Sequence, residues 1–323
     1  MRRRFLVLTG LLALLAAPNA RAQEQSGDLD WRPQVAAPAY AADGPLIRID
    51  EGHGSVQTIA GRYAGFAALM RADGYGVDAG AGRLDASGAL DDVRVLVISN
   101  AASPRDGSGR VSAFDKAEIE AVARWVEAGG ALLLAADHAP HGSAAEALAA
   151  RFGVTMGKGY AFRQTPSGLT ANLDFLRADG ALGAHPILEG RKPGERVDHV
   201  RTFTGQSLTG PPGATVLLAL QPEDREAADL PTLQQIRQAL GGPDARDVLA
   251  ALSRPALSAQ GLAFEHGAGR VVVLGEAGML TAQIVRFPAD QNREPMRFGL
   301  NTTGHDDQQF VLNTLHWLSR LIP

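Results

Sequence analysis

The chain has 323 residues, no cysteine, a formal charge of −4 and 45% hydrophobic residues. A disulfide, a thiolate metal site and a cysteine nucleophile are therefore excluded. Its lysines and arginines form no basic stripe, so nucleic acid is not an expected partner.

The first elements are targeting signals. Arg2-Arg3-Arg4 is a basic n-region, Phe5–Ala17 a short apolar run, and Ala20-Arg21-Ala22 a small-x-small cleavage signal. Residues 1–22 are expected to be a signal peptide, giving a periplasmic or secreted protein that starts at Gln23. The apolar run is short for a membrane span. Arg2-Arg3-Arg4-Phe5-Leu6 also fits the twin-arginine pattern, so Sec and twin-arginine export both stand. Removing residues 1–22 takes four arginines and no acid, leaving −8. No later run is long and apolar enough for a transmembrane anchor. Gln23–Gly44, rich in Ala and Pro without periodicity, reads as an extended leader. Residues 45–323 read as a single α/β domain with an irregular insertion over about 160–262.

Within that domain Leu46–Ile49 is the first expected strand, and it ends at Asp50-Glu51-Gly52-His53-Gly54. Tyr63–Asp73 has helical spacing (Phe66, Leu69, Met70) and stops at Gly74. Tyr75–Val77 is a short strand, and Val93–Ser99 is a buried strand ending at Asn100. Ser112–Ala128 places Phe114, Ile119, Val122, Ala123 and Val126 on one helical face, closed by Gly129-Gly130. Ala131–Ala136 is a second buried strand, followed by a helix over Ser143–Phe152. This alternation predicts parallel strands with right-handed crossovers. Beyond it, Ala214–Leu220 is a strand, and Gln221–Arg254 mixes polar and helical segments. Leu262–His266 and Arg270–Leu274 flank Gly267-Ala268-Gly269 as a hairpin, and Phe310–Leu321 is a closing helix.

In an α/β sheet the site lies outside the carboxyl ends of the strands, and polar clusters follow several of them. Asp137, His138 and His141 follow Ala131–Ala136. Two histidines three apart can share a metal, or Asp137 can orient a histidine as general base. The plainer alternative is a capped helix start, with Pro140 at an early position. Asp50, Glu51 and His53 can bind a divalent cation or relay protons, or simply form a turn whose Asp caps a helix. Glu276, past the strand Arg270–Leu274, can face the same crevice or serve a helix N-terminus. Asn100 and Gln283 are candidate substrate contacts. In Asn301–Asp307, Asp306 or Asp307 is expected to cap the last helix, and His305 to be exposed. His185 and His199 lie in the irregular middle, and His316 is expected to be structural. Arg163, Arg201 and Arg270 are possible contacts for an anionic substrate. No HExxH motif, Gly-x-Ser-x-Gly elbow or phosphate-binding glycine loop is present.

The helix closing in Gly-Gly, the strand ALLLAADH, the strand GRVVVLGEA and the C-terminal helix together resemble class I glutamine-amidotransferase-like proteins, nearest the trehalose-utilisation-like branch. The resemblance covers Pro45–Pro323. It implies a flavodoxin-like three-layer sandwich with a mostly parallel central sheet. Amidotransferases carry their cysteine at the turn after the strand matching Ala131–Ala136. Here Asp137-His138 stands there, so thiolate hydrolysis of glutamine is excluded. The histidine matches the trehalose-utilisation-like branch.

Two readings follow. The first is an exported hydrolase acting on a small polar substrate such as a sugar derivative, amide or ester. His138, Asp137 and Glu276 would be catalytic, with or without zinc held by His53, His141, Glu51 and Asp50. The second is a non-catalytic periplasmic module that binds a carbohydrate in the same crevice.

Overall fold

Val93–Ser99 and Ala131–Ala135 are almost wholly apolar because both faces of each strand are buried. They form the middle of a nine-stranded sheet in a computed structural model that describes residues 24–41, 43–166, 168–239, 252–288 and 292–323. The expected signal peptide lies outside the described residues, as does 240–251 of the Gln221–Arg254 stretch. The strands of this sheet are β1 (Gly44–Asp50), β2 (Tyr75–Gly80), β3 (Val93–Ser99), β4 (Ala131–Ala135), β5 (Thr155–Met156), β6 (Leu208–Thr209), β7 (Thr215–Ala219), β8 (Ala259–His266) and β9 (Gly269–Leu274).

Their order is β2-β1-β3-β4-β9-β8-β6-β5, and β7 also pairs with β8. The pairs from β2 to β9 are parallel. With β9 as the fifth parallel strand, this is the flavodoxin-like order 2-1-3-4-5. The pairs beyond β9 are all antiparallel. The sheet is therefore mixed, which corrects the expectation of a mostly parallel one. The cause is local: Gly267-Ala268-Gly269 folds β8 back on β9, and a chain that reverses in a tight turn pairs antiparallel. The segment expected as an irregular insertion supplies β6, β7 and the first half of β8, so it extends the main sheet.

Alternation along the strands sorts the core into two layers. Ile47, Ile49, Val95, Val97, Leu133 and Val272 pack with α1 (Ala64–Ala72), and with a helix at the end of the chain, Asp307–Leu318. Leu96, Ile98, Leu132, Leu134, Val271 and Val273 pack on the other face with α2 (Lys116–Glu127) and α3 (His141–Arg151). The helix Asp307–Leu318 is α4 below. Asp115 opens α2 with a reciprocal capping box to Glu118.

Smaller sheets flank this core. Glu24–Gly27, expected as part of an extended leader, pairs with Ala282–Arg286, which pairs in turn with Met296–Gly299. Trp31, Val35 and Tyr40 then pack against the core. Asn172–Leu176 pairs with His199–Phe203. Arg270, at the start of β9, is buried beside the Trp317 ring. Its Nη1 donates to the carbonyls of Trp317 (2.7 Å) and Ile322 (2.9 Å). Among the described residues, no helix is long and apolar enough to cross a membrane.

Candidate functional site

Because β1, β3, β4 and β9 run parallel, the residues that follow them emerge along one edge of the sheet. The structure joins three of the expected residues there. Asn100 leaves β3 with φ 45°, a left-handed conformation that Asn tolerates better than most residues. Its Oδ1 accepts from the Asp137 N–H (2.8 Å), and its Nδ2 donates to Asp137 Oδ2 (2.6 Å). Asp137 Oδ1 accepts from the Ala277 N–H (2.8 Å), so the carboxylate ties the ends of β3, β4 and β9 together. Glu276 is buried, and its two oxygens accept from the N–H groups of Gly278 (2.5 Å) and Met279 (2.7 Å). Burial, then the charge of Asp137, pushes the Glu276 carboxyl well above the usual carboxylate range, against those two hydrogen bonds. Glu276 thus holds the turn after β9 and, among the described residues, makes no hydrogen bond to either histidine.

Two groups that the sequence did not single out feel the charge of Asp137. Tyr63 is buried and donates to Ser99 Oγ (2.6 Å), with its hydroxyl pKa raised by burial. Arg62 is partly buried and makes no hydrogen bond or ion pair among the described residues. Burial lowers its pKa, while the charge of Asp137 opposes this. Nothing in the spacing around Arg62 marks it, because it comes within the field of Asp137 only through the fold.

His138 stacks on Tyr160, with centroids 3.9 Å apart. Its Nδ1–H donates to the Ala139 carbonyl (2.9 Å), and Nε2 has no partner among the described residues. Burial lowers its pKa, and the charge of Asp137 acts the other way. The ring is therefore neutral near pH 7, with a free lone pair on Nε2. Asp137 influences His138 by charge; the Tyr160 ring and the Ala139 carbonyl do the positioning. Gln206, another residue the sequence reading missed, braces this turn: its Nε2 donates to the carbonyls of Ala136 (2.8 Å) and Asp137 (3.0 Å). His141 begins α3, and its Nδ1–H donates to the Ala101 carbonyl (3.2 Å), leaving Nε2 without a partner among the described residues.

The first cluster is built differently. His53 Nδ1 donates to Asp50 (2.9 Å) and its Nε2 to Glu118 (3.0 Å). Burial works against a charged ring, but the hydrogen bonds and charges of Asp50 and Glu118 outweigh it and raise the pKa. Both nitrogens are thus engaged in a strut from the end of β1 to the start of α2. Glu51 accepts from the Ile59 N–H (2.7 Å). Among the described residues no three His, Asp or Glu side chains form a group that would hold a metal. Of the four residues expected to hold zinc, His53 and Asp50 bond to each other, while Glu51 and His141 bond to backbone groups.

Other expected positions have structural partners. Gln283 donates to Thr281 Oγ1 (2.7 Å), its Oε1 is buried without a partner, and it makes no hydrogen bond to the Asp137 group. Neither Asp306 nor Asp307 caps α4 with its side chain. Asp306 accepts instead from the N–H groups of Asp198 and His199, and Asp307 from that of Arg201. His305 is buried against Asp307 (3.0 Å), not exposed. Burial holds His185 down at about 4. His316 pairs with Asp73 in the core (2.7 Å). Arg163 pairs with the buried Asp224 (2.8 Å).

No family model and no curated protein matches the chain. Among solved structures, it is similar to one described as the mmIFT52 N-terminal domain, at 14% identity and a TM-score of 0.54, covering 85% of this chain and 97% of that one. That likeness shows the fold alone. A cytoplasmic protein from Salmonella typhimurium (12% identity, TM-score 0.42, 85% of this chain and 98% of that one) aligns less well. So does a protein described as ThuA-like from Bacteroides uniformis (13%, 0.41, 88% and 94%).

Proposed function

We propose that the chain is an exported hydrolase of a small polar substrate, with His138 as its general base. One observation carries this reading: a neutral imidazole, fixed by Tyr160 and the Ala139 carbonyl, presents a free Nε2 beside Asp137 at the flavodoxin-like strand ends. In the reaction, Nε2 takes a proton from water as the water oxygen attacks the electrophilic carbon. The same proton then passes to the departing group as its bond breaks. Arg62 supplies positive charge for the oxygen that becomes negative in between. The proton transfers are assigned to the chain's own residues. The basic n-region, apolar run and Ala20-Arg21-Ala22 signal support export.

The test is a panel of chromogenic esters, amides and glycosides with the mature chain and His138→Gln. For a substrate that turns over, His138→Gln is expected to lower kcat/KM by about 10²–10⁴-fold. Because burial depresses the His138 pKa, the rise of kcat/KM with pH should be complete near pH 7. An unchanged rate in His138→Gln would overturn the assignment. Sugar-dependent stabilisation with no product from any substrate would establish the binding-module reading in its place.

A further inference from the structure

A second cleft lies between the strands His199–Phe203 and Met296–Gly299, lined by neither His138 nor Asp137. Its volume is about 130 Å³, and its walls include Arg201, Phe203, Arg297, Phe298, His305 and Asp307. That is roughly the volume of four waters in bulk, well below the ~300–1,000 Å³ of a drug-sized pocket.

The lining is a built arrangement. Arg201 Nε donates to Asp174 Oδ1 (2.6 Å), which also receives His199 Nε2 (2.7 Å). The Arg201 N–H donates to Asp307 Oδ1 (2.8 Å), fixing the residue from its backbone as well. Its two terminal nitrogens make no hydrogen bond among the described residues. Arg297 stands largely exposed at the rim and reaches only Asp28, at 3.5 Å. Asp307 is buried 3.0 Å from His305, and burial raises the pKa of its carboxyl. Phe203 and Phe298 meet edge to face, 5.3 Å between centroids, and supply an apolar wall.

We propose that this cleft binds a small organic acid, with its carboxylate on Arg201 and Arg297 and a body of a few carbons against Phe203 and Phe298. A planar guanidinium fork matches a carboxylate, and the two rings give the remainder of the ligand somewhere to leave water. An inorganic anion would leave that wall unused. The inference is independent of the function assigned to His138.

Calorimetric titration of the full chain at low salt tests it, with butyrate, benzoate, butyramide and inorganic phosphate as probes. Butyrate and benzoate are expected to bind and butyramide not to. Arg201→Gln and Arg297→Gln should each weaken the acids about tenfold. Arg297 is the safer variant, since its rim position makes it dispensable to the fold. Arg62→Gln should leave affinity unchanged. Binding lost in Arg62→Gln but kept in Arg297→Gln would move the ligand to the Asp137 site and overturn the proposal. So would equal affinity for butyramide, binding of phosphate alone, or no binding at all by the folded chain.

Discussion

At the scale of single residues, the same side chain type serves opposite ends in this protein. His138 is half-buried with a carbonyl as its one hydrogen-bond partner, and its pKa is lowered; His53 lies between two carboxylates, and its pKa is raised. The second arrangement has a consequence for stability. His53→Gln leaves Asp50 and Glu118 buried without their shared cation, and is expected to cost about 3 kcal/mol in urea unfolding. The sign with pH follows from the raised pKa. Folding favours the protonated ring, so its contribution is complete below the unfolded value of about 6.5 and fades as pH rises through the folded value. Wild type should therefore lose stability above pH 6.5 by an increment that His53→Gln lacks. A difference between the two that stays constant from pH 5 to 9 would contradict the strut. Glu276 adds a loss in the same direction, but one that begins in the carboxylate range.

At the scale of elements, the hairpin β8–β9 decides where the parallel part of the sheet stops. A Cβ on Gly269 would lie 2.1 Å from the Val126 carbonyl oxygen and 2.4 Å from that of Gly130, both backbone atoms that cannot step aside. Gly269→Ala is expected to destabilise by about 1–3 kcal/mol, read as a lower urea midpoint at an unchanged m-value. The hairpin also marks what the sequence made legible. The places of β3, β4, β8, β9 and α2 follow from apolar runs and helical spacing, because burial on both faces or along one stripe writes itself into the residue pattern, though β8 starts three residues earlier and α2 four later than that pattern gives. β5 and β6 are two residues each, too short to leave a period. The pairing of Glu24–Gly27 with Ala282–Arg286 depends on residues more than two hundred positions away. The site divides the same way. Asn100, Asp137, His138 and Glu276 could be read from strand ends. The groups around them are Arg62, Tyr160 and Gln206, which come from two turns and the strand Tyr160–Thr165 that no local pattern connects.

At the scale of the whole molecule, the N-terminal strand and the Trp31–Tyr40 stretch behind it close one side of the fold. A chain shortened to begin at Gly44 would uncover the edge of Ala282–Arg286 and the apolar surface beneath Trp31 and Tyr40. It is expected to melt at a lower temperature and to self-associate with rising concentration, because an open strand edge accepts a strand from another copy. Thermal unfolding and size-exclusion chromatography measure both effects, and an unchanged monomer with an unchanged Tm would refute this role. The opposite end of the chain is secured by Arg270, which grips the carbonyls of Trp317 and Ile322 from the first turn of the central strand β9. In a pulling experiment on the C-terminus, tension would not simply peel α4 from the surface. The guanidinium would deliver the load directly to β9, so the molecule should resist with the strength of its central sheet until that clasp gives way.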